Sequence, residues 1–174
     1  SPYQFRQFWM QLSDIDIEKM LPQFSLRSMD EINEILIEQR ARPESRVAQR
    51  TLARELTELL HGEESAVAAE QAADVLFGAN PISASPAALH LIASEVSGSA
   101  MGKAALGDAV SVLVLTGLAT SNTEARRLLT QRSVRANGEQ IDEHTKLDKI
   151  PLLHSRWLLL RKGKTAYHLI DFQG

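Results

Sequence analysis

Through the first half of this chain apolar positions recur three and four residues apart, the spacing of one helix face. The last part of the chain adds short alternating runs that read as strands. Tyr3, Phe5, Phe8 and Trp9 fall on a short opening helix, and Ser13 begins a second that is expected to stop or bend at Pro22. Ser28 and Glu31 form a capping box ahead of Ile32, Ile35 and Leu36 on one face. Residues 46–60 give the strongest helix of this half. Its predicted buried stripe is Leu52, Leu56, Leu59 and Leu60, while Arg46, Arg50 and Arg54 recur every fourth position on another face. That basic ladder reads as a solvated face pairing with acids such as Glu58, or as a track for phosphates. His61-Gly62 interrupts the pattern, and an alanine-rich helix from Glu64 to Phe77 ends at Gly78.

Residues 79–105 are rich in Gly, Pro and Ser, the composition of a linker. Within it Ser85-Pro86 opens one short helix to Glu95. Beyond Asp108, Val110, Leu113 and Val114 mark a further helix that closes at Gly117. Near the end, the apolar runs 157–160 and 167–170 flank Arg161, Lys162, Gly163 and Lys164, a strand-turn-strand with a cationic tip.

Residues 121–141 are the most informative. Ser121 and Glu124 form a second capping box. Ala125, Leu128 and Leu129 make one apolar stripe, so Arg126 and Arg127 must face solvent or a partner. After Arg132, Val134 and Ala136 alternate with Arg135 as a half-buried strand. Asn137-Gly138 supplies the two positive-φ residues of a tight hairpin, and Ile141 returns to the core. Such a helix and hairpin suit a nucleic-acid backbone; a solvated, arginine-rich helix face is the alternative.

Composition narrows the choice. The chain has 174 residues, is 44% apolar, and carries a net charge of −3. That suits one or two small domains with real cores. The charge is uneven: residues 1–78 hold 8 Lys+Arg against 14 Asp+Glu, whereas residues 106–174 hold 10 against 7. A net of +3 there fits local phosphate contacts rather than strong nonspecific adhesion. No apolar run approaches the 18 or more residues of a membrane span. Without cysteine there is no disulfide framework, which fits a cytoplasmic protein. The opening at Ser1, with no initiator Met and no signal peptide, reads as a piece of something longer.

Catalytic signals are missing. His61, His90, His144, His154 and His168 show no metal-ligand spacing, so no metal is expected. No glycine-rich phosphate loop follows a strand, and Glu63-Glu64 sits at a helix start, where it favours the dipole. The four aromatics among the first nine residues could stack bases, but beside Met10 and Leu12 they read as core or as an interface.

Two sets of residues carry a resemblance. Ser121, Glu124, Ala125, Arg126, Arg127, Leu128 and Leu129, with Val134, Asn137 and Gly138, resemble the S-four RNA-binding domain. Ser1-Pro2-Tyr3, Phe5, Phe8-Trp9, Arg46, Ala48-Gln49, Leu52-Ala53, Leu60-His61-Gly62 and Leu76-Phe77-Gly78, in that order, resemble bacterial-type tyrosyl-tRNA synthetases. So does the ending over residues 160–164. The resemblance covers essentially the whole chain. It implies an α-helical anticodon-binding domain (1–78), a linker with a short helix (79–105), and a small α+β S-four-like RNA-binding domain (106–174).

In that family a catalytic domain with HIGH and KMSKS signatures lies upstream of the Ser-Pro-Tyr segment. Neither signature occurs in this sequence. The resemblance therefore implies that ATP and Mg²⁺ are used by that domain, that this chain holds no cofactor and is not catalytic by itself, and that the family dimerises mainly through the catalytic part. This chain is then expected as a monomer whose partners are a tyrosine-specific tRNA and its own upstream domain, with no membrane. Arg126, Arg127, Arg132, Arg135, Arg161, Lys162 and Lys164 would take phosphates of a long variable arm, and Asp14 or Asp16 would read the anticodon. The alternative is a freestanding S-four module in ribosome assembly or RNA modification, which has no reason to carry the helical first half. Two departures stand out: Arg6 where the family usually has an aromatic, and Arg132-Ser133 in place of a glycine-containing turn.

Overall fold

The computed structural model describes residues 1–102 and 106–172. It divides into two compact units, Ser1–Gln71 and Ala72–Gly174, the division falling inside one helix.

The first unit is all helix. It comprises α1 (Pro2–Met10), α2 (Asp14–Phe24), α3 (Met29–Ala41), a 3-10 turn at Pro43–Ser45, α4 (Val47–His61) and the start of α5 (Glu63–Leu76). Its core is Ile17, Leu21, Ile32, Leu36, Ala48 and Leu52. The Ser28 box closes in both directions: Ser28 Oγ accepts from the Glu31 N–H, and Glu31 Oε2 accepts from the Ser28 N–H. The aromatics cluster on Trp9, which meets Phe5 and Phe8 edge-on at 6.2 and 5.2 Å between ring centres and Phe24 at a tilt at 5.5 Å.

Three expectations for this unit change. Pro22 does not end α2, which runs on to Phe24. The ring removes one N–H from the ladder, but Ser25 N–H still reaches the Leu21 carbonyl, so the loss is confined to one bond in the last turn. Leu59 and Leu60 are not buried; they are 67% and 63% exposed, and α4 instead buries Ala48, Gln49, Leu52, Ala53 and Thr57. Leu60 shares a face with Ala53 and Thr57 by spacing, so periodicity marks the face but not how far its neighbours cover it. The arginine ladder also breaks up. Arg46 caps α4 in a left-handed conformation and donates through Nη2 to the carbonyls of Met10 and Leu12. Arg54 pairs with Glu58 at 3.3 Å, as expected, and also with Glu70 at 2.7 Å, which leaves Arg50 as the exposed member without a carboxylate among the described residues.

The second unit is built on a five-stranded sheet of order β1-β5-β4-β2-β3. The strands are β1 (Ser97–Ala100), β2 (Val134–Ala136), β3 (Glu139–Gln140), β4 (Trp157–Lys162) and β5 (Ala166–Asp171). The helices are α6 (Pro86–Glu95), α7 (Ala109–Leu115) and α8 (Asn122–Thr130). Ser85, Asp108 and Ser121 cap them, each accepting an N–H three residues on. All strand pairs are antiparallel except β1 with β5, which is parallel. One sheet face, through Val134, Ala136, Leu158, Leu160 and Ile170, joins α7 and α8 in the main core. Alternation turns Arg135, Leu159, Arg161 and Tyr167 to the other face.

Residues 79–102, of linker composition, thus carry a 3-10 turn (Pro81–Ser83), α6 and an edge strand; residues 103–105 of the expected linker lie outside the described residues. β1 is Ser-Gly-Ser-Ala, without the apolar alternation that marks strands. It exists because β5 offers it a ladder, from Ser97 opposite His168 to Ala100 opposite Asp171.

Candidate nucleic-acid interface

The stripe Ala125, Leu128 and Leu129 is buried, which leaves Arg126 and Arg127 exposed on the outer side of α8. The helix start differs in one detail from a reciprocal box. Ser121 Oγ accepts from the Glu124 N–H, but Glu124 reaches one residue further back, to the N–H (2.7 Å) and hydroxyl (2.6 Å) of Thr120. Those hydrogen bonds, helped by Lys162 and Arg127 nearby, hold the Glu124 carboxyl below its ordinary range.

α8 ends on Arg132, whose φ is +51°. Arg132 N–H reaches the Leu129 carbonyl and Ser133 N–H the Leu128 carbonyl, a Schellman closure that glycine usually occupies. The Arg132-Ser133 departure therefore keeps the turn and places a cation at the helix end.

The hairpin forms as expected, with Asn137 at φ +48° and Gly138 at +89°. Arg135 stands directly opposite Arg161 on β4, and Arg161 directly opposite Tyr167 on β5. The cationic tip is split by the pleat. Arg161 and Lys162 lie on β4 and point to opposite faces. Lys162 is half-buried on the α8 side, 3.8 Å from Glu124, while Lys164 is exposed in the turn after Gly163.

The seven cations thus fall into two groups. Arg126, Arg127, Arg132 and Lys162 belong to α8 and the face it covers, whereas Arg135 and Arg161 share the opposite face, and Lys164 sits at the turn between them. In the second group a cavity of about 270 Å³ is lined by both arginines with Gly78, Asn80, Gly138 and Tyr167 among others. Asn80 and Tyr167 carry no site signal in the sequence. Asn80-Pro81 reads locally as a turn, and only the tertiary packing of the second unit brings it to Gly138 of the hairpin. Arg156, also cationic, is spent on a two-pronged pair with Asp171 at 2.7 and 2.6 Å.

In the first unit Asp14 and Asp16 are held differently. Asp14 Oδ1 accepts from the side-chain amides of Gln39 (2.9 Å) and Gln49 (3.1 Å), both buried residues. Asp16 accepts from the Ser13 hydroxyl at 2.7 Å, in the cap of α2. Arg6 is buried in α1, consistent with the position usually taken by an aromatic.

Comparison with known proteins matches both units. Residues 1–78 match the family described as tRNA synthetases class I (W and Y). Residues 92–170 match the tyrosine–tRNA ligase SYY-like C-terminal domain. The chain belongs to the tyrosine–tRNA ligase family. It is 39% identical to a tyrosine–tRNA ligase of Streptomyces griseus over 94% of this chain and 39% of that protein. It is 37% identical to one of Roseiflexus castenholzii over 98% of this chain and 41% of that protein. A solved C-terminally truncated mitochondrial tyrosyl-tRNA synthetase of Aspergillus nidulans overlaps 44% of this chain and 23% of its own, at 36% identity and a TM-score of 0.43. The chain spans about 40% of the length of the curated tyrosine–tRNA ligases it matches, and it corresponds to their C-terminal part. Among the described residues no helix is long and apolar enough to cross a membrane, and no cluster of His, Asp and Glu is placed to hold a metal.

Proposed function

We propose that this chain is the tRNA-holding part of a tyrosine–tRNA ligase working in the cytoplasm. In this reading ATP, Mg²⁺ and tyrosine are handled by an upstream catalytic domain, which also makes the parent dimer, and this chain is a monomer without a cofactor. What supports it is the order of two family matches along one chain, 1–78 and 92–170, the second containing the outward arginines of α8.

Arg126, Arg127 and Arg132, with Lys162 and Lys164, contact phosphates of the long variable arm. Such contacts orient the RNA and make affinity salt-dependent, without reading sequence. The first unit reads splayed anticodon bases. Asp14 suits base reading better than Asp16: two amides fix its Oδ1, while its Oδ2 accepts from none of the described residues.

Filter binding with tyrosine-specific tRNA against a non-cognate tRNA tests the reading. The chain should prefer the cognate tRNA. Arg126→Ala/Arg127→Ala/Arg132→Ala should weaken binding and lower the salt slope by roughly 0.7–0.9 per lost phosphate contact. Equal affinity for both tRNAs, or an unchanged slope, contradicts it.

A further inference from the structure

We propose that the cleft between the β2–β3 hairpin and residues 78–81 is a second, separate phosphate site, on the sheet face away from α8, and that it takes one phosphate of the RNA backbone with its ribose. This rests on the RNA-binding reading above.

The first observation is an unneutralised pair of cations. Arg135 and Arg161 are directly opposite one another on adjacent strands, where like charges are unfavourable. Both are half-buried, and neither has a carboxylate within ion-pair distance among the described residues. Of the other half-buried arginines, Arg54 and Arg156 each have one or two, and Arg46 is met by two backbone carbonyls instead. A guanidinium carries five N–H groups in a planar fork that matches phosphate oxygens. Here each fork makes one neutral hydrogen bond: Arg135 Nη1 to the Gly138 carbonyl at 2.8 Å, and Arg161 Nη1 to Tyr167 Oη at 3.4 Å. Most of their donors remain available.

The second observation is the space in front of them. The cavity holds no acidic side chain in its lining, and its volume of about 270 Å³ exceeds what a phosphate alone fills. Tyr167 is fixed in its wall, because its hydroxyl donates to the Val75 carbonyl at 2.9 Å while its ring lies 5.9 Å from the Arg161 guanidinium carbon. Asn80 Oδ1 is occupied by the Ile82 N–H, leaving its Nδ2 as a further donor toward an anion.

Third, two glycines keep the cleft open. A Cβ on Gly78 would stand 3.0 Å from Arg161 Nη1, and one on Gly138 would stand 2.9 Å from Asn80 Oδ1. Both glycines have positive φ, so turn geometry and room for the polar groups coincide.

The test uses the full chain and two probes. Inorganic phosphate is titrated while the Arg Nε–H signals are followed by NMR, and tRNA binding is measured across a salt series. Phosphate should shift the Arg135 and Arg161 signals and leave those of Arg126 and Arg127 in place. Arg135→Gln/Arg161→Gln removes those two signals, identifying them, and should lower the tRNA salt slope by roughly 0.7–0.9. Asn80→Asp keeps the oxygen that accepts from Ile82 but puts a negative charge in the cleft. It should abolish the phosphate-induced shifts of the Arg135 and Arg161 signals and lower the salt slope, with an unchanged melting temperature, so loss of fold cannot imitate the result. No phosphate-induced shift at either arginine overturns the site. A shift without any change of salt slope in either variant overturns the RNA assignment, the cleft then taking small anions only. Failure of the wild-type chain to bind any tRNA would instead sink the function proposed above, and the phosphate arm would still decide the cleft.

Discussion

Asn137 and Leu159 hold one another twice. The Asn137 N–H donates to the Leu159 carbonyl at 2.9 Å, and the Leu159 N–H donates to Asn137 Oδ1 at 2.8 Å. The side chain thus stands in for a backbone acceptor just where β2 turns away from β4. Its Nδ2 also donates to the Pro151 carbonyl at 2.8 Å, so one buried amide ties the hairpin, the central strand and the preceding loop.

Asn137→Ala should therefore destabilise the second unit by about 2–4 kcal/mol. A buried donor left unmet costs about 1–3 kcal/mol, and alanine at φ +48° adds roughly 1–2. Urea denaturation followed by Trp157 fluorescence checks this; a loss under about 1 kcal/mol would deny the amide its role.

Arg132→Gly separates a turn from a charge. A side-chain-bearing residue in the left-handed region costs roughly 1–2 kcal/mol, part of which glycine's greater freedom in the unfolded chain offsets. The variant should gain about 0.5–1 kcal/mol in thermal or urea unfolding while binding tRNA less tightly. A variant that is both less stable and equally good at binding would refute both halves.

His168 gives the second unit a pH dependence of known sign. Its Nε2 is 2.9 Å from Ser99 Oγ, its Nδ1 is buried without a partner among the described residues, and burial holds the imidazole below its ordinary value. The unfolded chain then takes up the proton more readily. The stabilisation is complete above about pH 6.5, the ordinary histidine value, and is lost as pH falls below it, levelling off beneath the folded-state value. The unit should unfold at lower urea at pH 5 than at pH 7. His168→Phe should flatten that difference, and an equal slope in the variant would rule His168 out as its source.

On α4, Leu52→Ala and Leu60→Ser should behave oppositely. Leu52 is fully buried, so its truncation should cost about 2–5 kcal/mol. Leu60 is 63% exposed, and its replacement should stay within about 0.5 kcal/mol in this chain. Comparable losses from both, measured by chemical unfolding, would put Leu60 back in a core.

What was legible in the sequence is what local chemistry decides. Ser28, Ser85, Asp108 and Ser121 each cap a helix within three residues of themselves, and Asn137-Gly138 needs no partner to specify a hairpin. The helical first half and the α+β second half follow from the same local signals. What depended on distant neighbours was not legible. Leu59 and Leu60 carry the right period but lack a covering neighbour, and β1 has no strand pattern because its reason is β5, some seventy residues later. The interface divides the same way: the outward arginines of α8 follow from its apolar stripe. The meeting of Arg135 with Arg161 depends on strand register, which no local pattern encodes. The split of Arg161 from Lys162 needs only the pleat once β4 extends two residues beyond the apolar run 157–160.

The place of β5 in the strand order has a consequence for synthesis. β5 lies between β1 and β4, so β1, made far earlier, has no ladder until Ala166–Asp171 emerges. Edge backbone left unpaired in this way invites pairing with other chains. A chain stopped at Thr165 would lose one strand directly, orphan β1 and bare one edge of β4, which keeps β2 on its other side, so such a truncation should show first as aggregation during production rather than as weaker RNA binding.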